Sequence, residues 1–162
     1  MDPFKSMRLL MLAKQMELTP QWMAGSTFGD FYQMHQWSKG LIEGMITDNY
    51  VQFSNKSLME KYKKAFAELG NKEAVWTLPL LAGIGFAEVL VEGLKRTGPE
   101  LTREKFIAAM ESIKNLKGMT EDITFKPFNP GDYSCRYGSK RVYLQQCMPG
   151  GETKILTDWM EN

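Results

Sequence analysis

The chain has 162 residues, enough to bury one sizeable core. Its 20 Lys and Arg against 19 Asp and Glu leave a net charge of +1, so no basic field marks it for nucleic acid or an acidic membrane. A single His and two Cys twelve residues apart do not make a zinc pattern. No metal, cofactor or nucleic-acid partner is expected.

The chain opens with Phe4–Met16, whose Phe4, Met7, Leu10, Met11 and Leu12 form an apolar stripe opposite Lys5, Arg8 and Lys14; this predicts a helix. Pro3 suits its first turn and Asp2 its cap. Gln21–Ala24 reads as a short strand, Gly25–Asp30 as the loop after it, and Asp30 as the cap of a second helix through about Lys39. Gly44–Val51 reads as a second strand. This αβαβ rhythm predicts a parallel sheet in an α/β fold.

Beyond residue 56 the pattern changes. Ser57–Leu69 is amphipathic, with Leu58, Tyr62, Phe66 and Leu69 expected inward. Val75–Arg96 is apolar nearly all round and ends at Gly98-Pro99, with Pro79 setting where its regular part begins. Thr102 is expected to cap a third helix. These three helices follow one another with no strand between them. Asp122–Lys126, Lys140–Cys147 and Thr153–Asp158 then read as short strands separated by turns at Gly138-Ser139 and Pro149-Gly150-Gly151. No apolar run approaches the ~18 residues of a membrane span. Met1-Asp2-Pro3-Phe4-Lys5 also lacks the basic leader and apolar core of a signal peptide.

No constellation for catalysis is visible. His35 stands mid-helix with no Gly-x-Ser-x-Gly elbow to serve, so a structural or exposed role is expected of it. Gly83-Ile84-Gly85 lies inside an apolar helix, where it predicts close helix packing and not a phosphate loop. Glu88 and Glu92, one turn apart, read as a solvated face. Cys135 and Cys147 flank a turn-containing segment. A disulfide forms if Ser134–Tyr137 pairs back on Leu144–Cys147; otherwise they are two separate thiols. The chain is not expected to be an enzyme.

One ordered series carries more. Leu94-Lys95-Arg96-Thr97-Gly98-Pro99 is followed by Leu101–Met110, by Ile123-Thr124-Phe125-Lys126-Pro127, by Arg141–Gln146 and by Leu156-Thr157-Asp158-Trp159, and Glu43-Gly44-Met45-Ile46 adds an earlier anchor. In order and spacing this resembles the C-terminal part of type I periplasmic substrate-binding proteins, those of branched-chain amino acid and related ABC transporters. The resemblance implies two α/β lobes joined by three crossing strands, of which this chain holds about half. Residues 1–53 would be part of lobe two up to a hinge near Tyr50–Phe53. Residues 54–117 would be helices of lobe one, and residues 118–162 the crossing strands and tail.

Function follows as implication. The parent would be a periplasmic or extracellular solute-binding protein handing a small polar ligand (an amino acid, amide or carboxylate) to an ABC permease. A leader and an upstream lobe would be missing here. Gly25, Ser26, Thr27, Phe28, Tyr50 and Trp76 are the ligand-binding candidates, with Trp22 a further aromatic. Family members that bind amino acids can carry an acid in the loop matching Gly25-Ser26-Thr27. Here the first acid is Asp30, so either Asp30 meets a ligand ammonium or the ligand is not an α-amino acid. An ordinary turn with a helix cap at Asp30 is the plain alternative. The competing readings are a standalone α/β half-protein that pairs with its own copies, or a ligand-sensing regulator with no transport role. The all-round apolar helix predicts self-association as a homodimer.

Overall fold

The computed structural model describes residues 3–51, 55–70 and 74–161. They form two compact units. One is built from the segments up to Tyr50 and from Arg141 onward, the other from Val51–Lys140. The expected break at 53/54 and the hinge residues Gln52 and Phe53 lie outside the described residues. The expected tail is shared, 118–140 going to the second unit and 141–161 to the first.

The first unit contains α1 (Pro3–Gln15), β1 (Met23–Ala24), α2 (Phe31–Ser38), β2 (Ile46–Asn49), β3 (Arg141–Cys147), β4 (Thr153–Ile155) and β5 (Met160–Glu161). The strands lie in the order β1-β2-β3-β4, with β5 pairing the start of β3. Only β1 and β2 are parallel; β3 runs antiparallel to β2, with Thr47 opposite Gln145. The sheet is therefore mixed and not simply parallel. The chain leaves β2 and re-enters β3 at the same end of the sheet, which forces the reversal.

The core of this unit gathers Leu10, Phe28, Phe31, Met34, Ile42 and Cys147. Among the described side chains of α1, which do not include Phe4, Leu10 and Ala13 are buried, while Met11 and Leu12 are exposed. Residues one and two steps from Leu10 are turned about 100° and 200° around a helix, so the predicted five-residue stripe was too broad. The Asp30 carboxylate accepts from the Gln33 amide at 3.2 Å and caps α2 as expected. The Pro149–Gly151 turn packs on α2, where a Cβ at Gly151 would come within 2.9 Å of His35 Cβ. His35 Nε2 and Glu43 Oε1 lie 2.7 Å apart, and this bond, ahead of smaller contributions, holds the Glu43 carboxyl below its ordinary range.

The second unit contains α3 (Lys56–Glu68), α4 (Leu78–Thr97) and α5 (Arg103–Glu111), with no strand between them among the described residues. Asn55 caps α3 and Thr102 caps α5, each side chain accepting an amide three residues on, at 3.1 and 3.2 Å. Pro79 sits at the second position of α4, and the helix starts at Leu78 rather than Val75. Leu78, Leu81, Ala82 and Gly85 form its buried face. Gly85 meets Thr120 and Met119, and a side chain at Gly93 would collide with Met110 of α5. Close packing therefore falls on Gly85 and Gly93, whereas Gly83 faces open space.

Three expectations fail in this unit. Leu69, expected inward, follows the last residue of α3 and is 85% exposed. Asp122–Lys126 is not a strand. It contributes only the Leu116–Ile123 bridge, because Asp122 adopts a left-handed φ of 32° and Pro127 follows directly. Glu88 is not a solvated acid. It accepts from the Tyr62 hydroxyl and, at 2.6 Å, from the Met119 amide, and a side chain at Gly118 would collide with it. Burial, reinforced by the bond to Glu88, pushes the Tyr62 phenol well above its ordinary range.

Both cysteines are buried free thiols, so the candidate Cys135–Cys147 disulfide is not made. Tyr133–Arg136 forms a 3₁₀ turn capped by Asp132 and does not pair back on β3. Cys135 Sγ accepts from the Asn129 amide at 3.5 Å, while Cys147 sits in the core of the first unit. Burial, with the Glu43 charge second, pushes the Cys147 thiol up to about 11.

Candidate functional site

In the first unit, β1 and β2 run parallel, β1 ending at Ala24 opposite Thr47 and β2 running two residues further to Asn49. The Gly25–Asp30 loop leaves the carboxyl end of β1, and Tyr50 leaves the carboxyl end of β2. Ligands of open α/β sheets gather at this edge, because the loops there are free of the ladder while the strands hold their roots. The sequence-derived residues Gly25, Ser26, Thr27 and Tyr50 all lie at it.

Ser26–Phe28 makes one 3₁₀ turn, with the Phe28 amide donating to Gly25 O at 3.0 Å and the Gly29 amide to Ser26 O at 2.8 Å. Phe28 swings into the core and is only 3% exposed. It is an anchor and does not line an open surface. Ser26 stays half-buried, and Gly25 and Thr27 are exposed. Tyr50 is half-buried, its amide donating to Asn49 Oδ1 at 2.8 Å. Trp22 is half-buried and packs on the core. Trp76 belongs to the second unit, with its ring 5.1 Å from that of Phe66.

Beneath the loop is a polar cluster that sequence reasoning missed. Thr47, Asn49 and Gln145 are all essentially inaccessible. Gln145 Nε2 donates to Gly29 O at 2.7 Å and to Thr47 Oγ1 at 3.3 Å, and Asn49 Nδ2 donates to Gln145 Oε1 at 3.4 Å. The available signal was Thr47-Asp48-Asn49, an unbroken polar run within a strand. It means that both faces of β2 carry polar groups at its carboxyl end.

Asp48 is the other missed residue. Asp30 is taken up by capping α2, so the sequence left the loop without an acid. Asp48 supplies one, since Gly25 packs beside it with the Asp48 Oδ1 3.8 Å from where a Cβ would stand. Asp48 is half-buried. The edge thus combines two hydroxyls, exposed backbone and one carboxylate, a set that can hold a small polar molecule by hydrogen bonds and charge. Elsewhere in this unit a groove of about 520 Å³ runs between α1 and α2, lined by Met7, Met11, Lys14, Trp37 and Lys39 among others, and shares no residue with the loop. Among the described residues no three His, Cys, Asp or Glu side chains gather as a metal site, and no helix is long and apolar enough to cross a membrane.

No family model matches the chain, and no curated protein sequence matches it. Solved structures do. A possible leucine/isoleucine/valine-binding protein from Rhodopirellula baltica SH 1 aligns at 19% identity and a TM-score of 0.75, over 94% of this chain and 40% of that one. A substrate-binding periplasmic protein from Ralstonia solanacearum aligns at 20% identity and 0.75, over 93% and 42%. A branched-chain amino acid ABC transporter from Thermus thermophilus with bound valine aligns at 15% and 0.74, over 97% and 43%. The fold is part of a type I periplasmic-binding-protein-like fold. At these identities the likeness is one of fold, and the chain spans about two fifths of the length of the structures it matches. These neighbours of the periplasmic-binding-protein-like fold are described as binding or transport proteins, none of them as an enzyme.

Proposed function

We propose that this chain supplies one wall of a ligand cleft in an extracytoplasmic solute-binding protein that hands a small polar molecule to an ABC permease. The observation that carries this reading is the edge at Gly25–Thr27, where Gly25 and Thr27 are exposed and Ser26 half-buried on a turn anchored by the buried Phe28. The fold neighbours support it, being substrate-binding proteins of transporters. Asp48 beside Gly25 favours a ligand that carries an ammonium group, an amino acid before a neutral amide, because a cation leaving water needs an anionic partner.

One wall leaves most of a ligand's surface wet, and small-molecule sites gain affinity by enclosing their ligand. The chain alone is therefore expected to bind L-valine or L-leucine weakly. Titration of the labelled 162-residue chain with L-valine should move backbone resonances at Gly25–Thr27 and Asp48 and leave α4 and α5 still. Ser26→Ala should weaken the response by roughly 1 kcal/mol. Shifts scattered elsewhere, or none at high concentration, would end this reading.

A second reading is favoured by a different observation. Phe86, Leu90 and Leu94 form a stripe on α4 that is 64%, 51% and 41% exposed. Such a face suits a chain that pairs with its own copies, either as a standalone half-protein or as a ligand-sensing regulator with no transport role. Sedimentation at micromolar concentration tests it, since a strictly monomeric species would exclude a homodimer.

A further inference from the structure

The geometry points to Gln145 as the positioning residue of the ligand loop. This inference rests on the proposed role of Gly25–Thr27. Gln145 lies far along the chain from that loop, in the third strand of the sheet, yet its amide engages the loop directly. A glutamine amide offers two N–H groups and one carbonyl. Here one N–H reaches Gly29 O at 2.7 Å, the other reaches Thr47 Oγ1 at 3.3 Å, and the carbonyl receives Asn49 Nδ2 at 3.4 Å. Its partners on β2 are as buried as Gln145 itself. The amide is therefore held from two sides by the strand and has one direction left, toward the loop.

The loop is built to accept that contact. Gly29 has φ −71° and ψ −10°, an ordinary conformation open to any residue. Space is what excludes a side chain: a Cβ there would stand 2.9 Å from Ser26 O, 3.1 Å from Gln145 Nε2 and 3.2 Å from Asn49 Nδ2. The absent side chain lets the buried amides reach the backbone. The Gly29 amide in turn donates to Ser26 O, so the Gln145 contact reaches the residue proposed to meet ligand through a single residue, Gly29. An apolar side chain could fill the same space, but it would take this partner away from Gly29 O, Thr47 Oγ1 and Asn49 Nδ2. What the amide adds is direction, since a satisfied polar network admits one arrangement where an apolar contact admits several.

The test needs no ligand, so it stands or falls apart from the titration with L-valine. In Gln145→Met, which keeps length and loses every hydrogen bond, the Phe28 and Gly29 amides should exchange roughly tenfold faster, the size expected when a buried hydrogen bond is lost locally. The Met34 amide of α2 and the β2–β3 ladder should stay within about twofold, because the opening is local. Gly29→Ala reaches the same contact from the loop side and should reproduce the pattern even if the Met variant folds poorly. The double variant should be no faster than the faster single one. Unchanged loop exchange in both single variants, or equal acceleration throughout the first unit, would overturn the assignment.

Discussion

The two units use similar amounts of apolar sequence to different ends. In the first, α1 and α2 cover a sheet, and Phe31, Ile42 and Cys147 are sealed from solvent. In the second, α3 is clearly amphipathic, yet none of its residues is fully buried, and α4 leaves Phe86, Leu90 and Leu94 in water. A sheet has two broad faces that gather helices around it. The second unit seals Leu81, Ile113 and Met119 as well, but the outer faces of its three helices have no sheet to lie on. The second unit compensates with polar bracing, in which Glu88 of α4 takes the Tyr62 hydroxyl of α3 and the Met119 amide.

That contrast can be broken by substitution. Phe31→Ala in the sealed core should cost about 3–5 kcal/mol in chemical denaturation, the range for a large aromatic removed from a packed site. Glu88→Ala should cost roughly 2–3 kcal/mol, because it strands the Met119 amide and the Tyr62 hydroxyl; a loss below about 0.5 kcal/mol would show that the brace contributes little.

Raising pH should weaken both units. Burial lifts the Tyr143 phenol from an ordinary 10.0 to about 12 and the Cys147 thiol from 9.0 to about 11, and Tyr62 is raised as well. Groups that hold their protons longer in the folded state contribute fully below their unfolded values. Stability is therefore level below pH 9 as far as these groups are concerned, and falls as pH rises through the range from 9 to 12. Cys147→Val should flatten the lower part of that decline, as read by melting temperature against pH. Leu90→Lys should have the smallest effect on stability, within about 0.5 kcal/mol, because the position is already exposed. A loss beyond about 2 kcal/mol would mean the α4 stripe is covered in solution.

Much of this architecture was legible from local chemistry. Asp30, Thr102 and Pro79 mark the starts of α2, α5 and α4 because capping and proline effects act within one helical turn. Strands were harder, since a two-residue pairing such as Met23–Ala24 is fixed by its neighbours and not by its own pattern. At the candidate site, Gly25–Thr27 was visible because a loop after a strand has a local signature. Gln145 and Asp48 were not, because their roles depend on which strands lie side by side. Glu88 was misread for the same reason: two acids one turn apart look alike whether a loop covers them or water does.

The place of β3 sets an order on the birth of the molecule. It lies inside the sheet, between β2 and β4, and brings Cys147 to the core. All of Val51–Lys140 is synthesised before it. A ribosome therefore releases the helices of the second unit as one continuous stretch, able to gather as they emerge. The first unit waits with β2 unpaired on one side until β3 appears. Closing so long a loop carries a larger entropic toll than forming neighbouring helices. The unit begun before Val51 is thus completed only after Lys140, and during that interval its exposed strand edge is open to mispairing.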